Sequence, residues 1–306
     1  MQDLFTDSQI ESMFKEDPLL LYELILKGVL TPIYTAYKDD SKEEIDKYAS
    51  LLIDKYAIHS ASFYHLSSGI IEHRKSGEQI RMNGYDLFSV NVVFRAIMET
   101  YTTFNHIFIY PKSEDEKIFR YLLWKIDGLA EKSKFEIEDS IRDEVKHILE
   151  EDKNTLSNLI SEFENCNFYK SLAEQDLYRI YKSNKKKYNW RFLFRDNQIK
   201  PLSITNLVAT VLPTSGYINA YKYTSIHTHS NFYAIMEFKR IRGQLLTTEF
   251  TDPWVRLAIM ITCLLISDLS TINNKANLTL RCMPSSIYRF IVGIANSIGE
   301  KRDENI

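Results

Sequence analysis

The chain is poor in the residues that interrupt regular structure. Its 306 residues include only 9 Gly and 7 Pro, too few for the many tight turns of a sandwich or barrel, so an all-α fold is expected. Cysteine is scarce as well. Cys166, Cys263 and Cys282 are odd in number, far apart and without a C-x-x-C pair. That excludes a disulfide framework and fits a reducing compartment, so the chain reads as cytoplasmic. The N-terminus lacks the basic start and apolar run of a signal peptide. The most apolar stretch, residues 257–266, is about half of the roughly 20 residues that span a bilayer, and it is expected as a buried helix with no membrane contact. Charge of one sign is not in excess: the net value is −3, so a nucleic-acid partner would need a local basic patch. The phosphate-cradling G-x-x-x-x-G-K-[ST] loop, G-x-G-x-x-G and the G-x-S-x-G elbow are all missing. This argues against P-loop nucleotide hydrolysis and α/β-hydrolase chemistry.

What is present is ordinary globular material, 44% hydrophobic and 26% charged, but rich in rings, with 19 Tyr and 17 Phe. No internal repeat marks the chain. It reads as one helical domain over residues 1–306, with a hinge, if there is one, near 180–200. Apolar spacing places helices over residues 8–13, 19–26, 41–73, 85–110, 114–132, 138–162, 203–211, 217–242, 252–269 and 284–298, and leaves 300–306 frayed. The 41–73 helix opens on Ser41 and Glu44, spaced as a capping box. The expectation is a bundle of about nine to eleven helices.

The most informative feature is polar. Arg95 and Glu99 lie four apart on the apolar 85–110 helix, on one face, where charges are tolerated only if paired. In the 217–242 helix Tyr221, Ser225 and His229 recur every four residues, a stripe about 12 Å long offering a phenol, a hydroxyl and an imidazole. Facing each other, the two groups would form one network. The bland alternative is an exposed i,i+4 ion pair. His227 lies two positions from His229 and would point elsewhere on a helix, so the two do not read as a metal pair. No metal site and no cofactor is expected.

The order R-x3-E followed about 120 residues later by Y-x3-S-x3-H resembles an uncharacterised bacterial helical family, domain of unknown function 5677, over roughly residues 51–238. That family is similar to HEPN-type and abortive-infection proteins. The resemblance implies a helical bundle with a HEPN-like core and an interior site at Arg95, Glu99, Tyr221, Ser225 and His229. It further implies action on RNA as a toxin or phage-defence effector, a metal-independent ribonuclease chemistry, a protein partner from the same defence system, and a homodimer. In such chemistry Arg95 would hold phosphate, His229 would move a proton, and Glu99 would orient either one. The rival reading is a non-enzymatic module that binds a partner or small signal, with the polar cluster purely structural.

Other candidates are weaker. Arg142 and His147 have the R-x4-6-H spacing of HEPN ribonucleases, but chance supplies about one such match in a chain of this size. Glu144 and His147 form half of a di-iron motif whose second half is missing. Residues 179–200 interleave cations and rings. Lys185, Lys186, Lys187, Trp190, Arg191 and Arg195 are the candidate nucleic-acid-binding set, unless the rings pack inward and the charges are merely solvated. His59, His65 and His73 do not share a helical face and read as structural.

Overall fold

The computed structural model describes residues 5–40, 43–69, 71–73, 75, 79–81, 86–134, 143–182, 187–196, 198–229, 231–241 and 248–305. Among them the chain is a helical, all-α protein, and β structure is confined to three two-stranded hairpins. It divides into two compact units, residues 1–105 with 208–306, and residues 106–207. Residues 180–200, where the sequence suggested a hinge, lie wholly inside the second unit.

The first unit begins with α1 (Asp7–Glu16), opened by a capping box in which Thr6 Oγ1 accepts from Gln9 N and Gln9 Oε1 accepts from Thr6 N. In α2 (Pro18–Leu24) Pro18 occupies the first turn and Asp17 caps Leu20 N. A π-helical turn, Ile25–Leu30, joins α2 to α3 (Thr31–Asp40). Pro32 explains the wide turn: it has no N–H, and its ring crowds the carbonyl four residues back. The Thr31 N–H therefore reaches Leu26 O, five residues back. Next comes α4 (Glu44–Ser67), whose N-cap residue Glu43 makes no side-chain cap; Ser41 of the expected capping box lies outside the described residues. The helix stops short of residue 73 because Gly69 takes a left-handed φ of 94°. The chain then forms β1 (Ile71–His73), antiparallel to β2 (Gln79–Arg81). Asp86 caps α5 (Leu87–Phe104) through Ser89 N.

The second unit holds α6 (Glu114–Lys132), α7 (Asp143–Asn165), α8 (Asn167–Ser171) and α9 (Glu174–Ile180). Two hairpins follow. β3 (Tyr181–Lys182) pairs with β4 (Lys187–Tyr188), and β5 (Phe192–Arg195) pairs with β6 (Gln198–Pro201), the latter turning through Asp196 at φ 52°. Rings fill this core: Phe119 lies 4.7 Å from Phe163 and 5.8 Å from Phe192, and Phe163 lies 5.2 Å from Tyr181. α10 (Ile204–Val211) leads out.

The first unit resumes with α11 (Ser215–Thr228), α12 (Phe232–Ile241), α13 (Asp252–Ile272), α14 (Asn274–Arg281) and α15 (Ser285–Asn305). The single helix expected over 217–242 is thus two, because Asn231 starts a new one: its side chain accepts from Tyr233 N and its carbonyl from Ile235 N. The fifteen α-helices among the described residues are more than the nine to eleven expected because short pieces such as α8, α9 and α14 carry too few residues to show a period. α13 is the buried axis, packed on α2, α5, α14 and α15, with Val255, Ile259, Ile261, Ile266 and Leu269 fully covered. Among the described residues it is one of two helical stretches, with Pro18–Asp40, long and apolar enough to cross a membrane by length and composition, and 67% of its apolar window is buried inside the protein.

Candidate functional site

α5 and α11 pack together, and their polar residues meet. Val90, Phe94, Ile97, Met98 and Tyr101 of α5 are fully buried, which fixes the helix rotation and leaves Arg95 and Glu99 together at its margin. Arg95 Nε donates to Glu99 Oε1 at 2.8 Å. The Tyr221 hydroxyl donates to the same oxygen at 2.7 Å and accepts from Arg95 Nη2 at 3.1 Å. The guanidinium also lies over the Tyr221 ring, 4.9 Å from its centre. The three side chains close into a triangle across the helix interface. Burial and then the Glu99 carboxylate push the Tyr221 phenol up to about 12. Burial works against the Arg95 charge, but the bond to Glu99, its negative charge and the Tyr221 phenol together outweigh it and raise its pKa. The triangle is half-open: 18% of the Arg95 side chain and 36% of the Glu99 side chain remain exposed. Arg95 Nη1 is buried with no hydrogen-bond partner among the described residues.

Ser225 and His229 do not join. α11 ends at Thr228, and His229 is its exposed C-cap, two turns beyond Tyr221. Neither residue has a hydrogen bond to the triangle among the described residues. The buried imidazole is that of His227 instead, packed 4.5 Å from the Tyr223 ring and 5.4 Å from Phe88. Its Nε2 lies 3.0 Å from Glu237 Oε2 but out of line for a ring N–H bond. Glu237 Oε2 accepts from Tyr223 at 2.8 Å.

The basic segment turns its rings inward. Tyr181, Tyr188, Trp190 and Phe192 are all buried, Phe194 is half-buried and Tyr178 is exposed, so most of the rings are withdrawn from the stacking that a single strand needs. Arg179 is spent on Asp176 and on the Ile199 carbonyl. Arg191 lies over the Trp190 ring, and Arg195 is exposed. Lys185 and Lys186 lie outside the described residues, as does the Lys187 side chain. Arg142 also lies outside them, and His147 is an exposed residue of α7 beside Glu151. Among the described residues no group of three or more His, Cys, Asp or Glu stands where it could hold a metal ion.

Two buried networks went unnoticed in the sequence. In the second unit Arg120, wholly buried, donates through Nε to Glu116 Oε1 at 2.8 Å and through Nη1 to His106 Nε2 at 2.7 Å. Accepting that bond needs an unprotonated nitrogen. Burial, and then Arg120, hold the His106 imidazole well below its ordinary 6.5. In the first unit Asp268 Oδ2 accepts from Tyr101 at 2.8 Å and Asn105 at 2.9 Å, while Arg302 donates to the Tyr101 hydroxyl and the Val211 carbonyl. Burial raises the Asp268 pKa against the pull of Arg302. A usable signal existed for both. Glu116 and Arg120 repeat the four-residue spacing of Glu99 and Arg95 beside Phe119, Leu122 and Leu123, and Asp268 is the one acid in the apolar run from Leu257 to Ile272.

No family model, no curated protein and no solved structure matches the chain.

Proposed function

We propose that this chain is a non-enzymatic, cytoplasmic helical module that binds a partner or small signal, with Arg95, Glu99 and Tyr221 fixing the register of α5 against α11. The observation that carries this reading is the closed triangle. Glu99 Oε1 already accepts from both Arg95 and Tyr221. The group suited to moving protons near neutral pH, His229, stands apart at the end of α11. A general acid or base must reach the proton it moves on a bound substrate, and two helical turns separate His229 from Tyr221. On this reading the purified protein leaves RNA intact, and Arg95→Ala lowers the melting temperature. RNA cleavage that is lost in His229→Ala would overturn it.

A second reading has one observation in its favour. Arg95 Nη1 is unpartnered beside a half-exposed carboxylate, a donor that a phosphate oxygen would satisfy. Together with the resemblance to domain of unknown function 5677, it supports a bacterial HEPN-like effector acting on RNA, working as a homodimer or with a partner from one defence system. Its signature is loss of RNA binding in Arg95→Lys, which keeps the charge and removes the planar fork.

A further inference from the structure

The π-helical turn and α4 enclose a cavity of about 340 Å³ in the first unit, at the low end of the roughly 300–1,000 Å³ typical of small-molecule sites. It owes its existence to two features of the sequence. The wide turn ahead of Pro32 contributes Leu26 and Leu30 to its wall, and α4 presents Ala57 and Ala61, one helical turn apart, where larger side chains would fill the space. The floor is apolar: Leu30 and Ile53 are 3% and 1% exposed. The mouth is polar, with Lys27 and His65 exposed and Glu23 and Tyr64 half-buried.

The hydrogen-bond inventory of that mouth decides what fits. The Glu23 carboxylate accepts from Lys27 Nζ at 2.5 Å and from the Tyr64 hydroxyl at 2.7 Å. Tyr64 has thereby spent its one hydrogen. The carboxylate of the mouth thus already accepts twice, while donors are left over: further N–H groups on the Lys27 ammonium, whose side chain is 73% exposed, and an N–H on the His65 ring, which packs against the Tyr64 edge at 5.3 Å. A ligand that brings an acceptor completes this set. One that brings an ammonium must compete with Lys27 for Glu23.

We infer that this cavity binds a small amphiphile with an apolar tail and a carboxylate head, the tail lying over Leu30 and Ile53 and the head meeting Lys27 and His65. The site is independent of the Arg95 triangle, so its failure would leave the structural role of that triangle untouched. The test is calorimetric titration of the full chain with three probes of equal tail length, decanoate, decanol and decylamine, each below its micelle concentration. Saturable decanoate binding at least tenfold tighter than that of decylamine is expected. Ala57→Leu should weaken decanoate at least tenfold by filling the cavity, and Ala61→Leu, at a more exposed position, should do the same if the first variant folds poorly. Lys27→Glu should reverse the preference toward decylamine. Absence of saturable binding by all three probes overturns the proposal, and so does decanoate binding that survives both cavity-filling variants. Equal affinity for the three heads overturns the carboxylate assignment.

Discussion

Glu99 Oε1 accepts two hydrogen bonds at once, so Tyr221→Phe would remove one bond to a charged group and leave the Arg95 Nη2 donor without its acceptor. A loss of about 1–2 kcal/mol is expected in denaturant titration, with little change in the slope. His106 makes a pH prediction. Its folded pKa lies well below the ordinary 6.5 because it is buried, and because Arg120 faces it. The unfolded chain therefore takes up a proton that the folded one refuses. The stability is fully present above pH 6.5 and is lost as pH falls below it. Thermal melts from pH 7 to pH 5 should show that loss, and His106→Gln should flatten the profile. Residue identity alone revealed Arg95, Glu99 and Tyr221, because charges and a phenol on apolar helices have to find one another. It did not reveal His106, whose partners Arg120, Trp190 and Phe192 are 14 to 86 positions away; only the fold brings them together.

Element boundaries turned on single backbone residues. α6 opens where Ser113 Oγ accepts from Glu116 N at 3.2 Å, and this turn carries the carboxylate that holds Arg120. Ser113→Ala should cost about 1 kcal/mol in equilibrium unfolding. The helical period of α5, α6 and α13 was legible because each buries one continuous face. The ends of α4 and α11 were not. The apolar pattern runs straight through Gly69 and Asn231, and the chain leaves the helix there for backbone reasons that side-chain periodicity does not record. The two hairpins of the second unit were hidden for a different reason. Their alternation of cations and rings fits an exposed binding surface and an inward-packed face of rings equally in spacing, and only the pleat decides, sending Phe192 inward and Arg195 to solvent.

At the scale of the molecule, the last helix is a structural member. Arg302 joins α15 to the Tyr101 hydroxyl on α5 and to the Val211 carbonyl, and it stands near Asp268 on α13. The frayed tail expected from residue 300 onward is therefore helical through Asn305. Arg302→Ala should destabilise the first unit by about 2–3 kcal/mol, because it removes the positive charge beside the buried Asp268 and the donors to Tyr101 and Val211, and calorimetry should show the lowered transition. The early helices are bound to the late ones as well. Arg289 grips Asp7 at 2.9 Å, Ser286 Oγ donates to the Phe5 carbonyl, and Arg256 donates to the Phe14 carbonyl. This closure sets an order of assembly during synthesis. Residues 106–207 are complete on the ribosome while the unit that flanks them in sequence still lacks α11 to α15, so the nascent chain carries an unfinished first half until the final helices emerge.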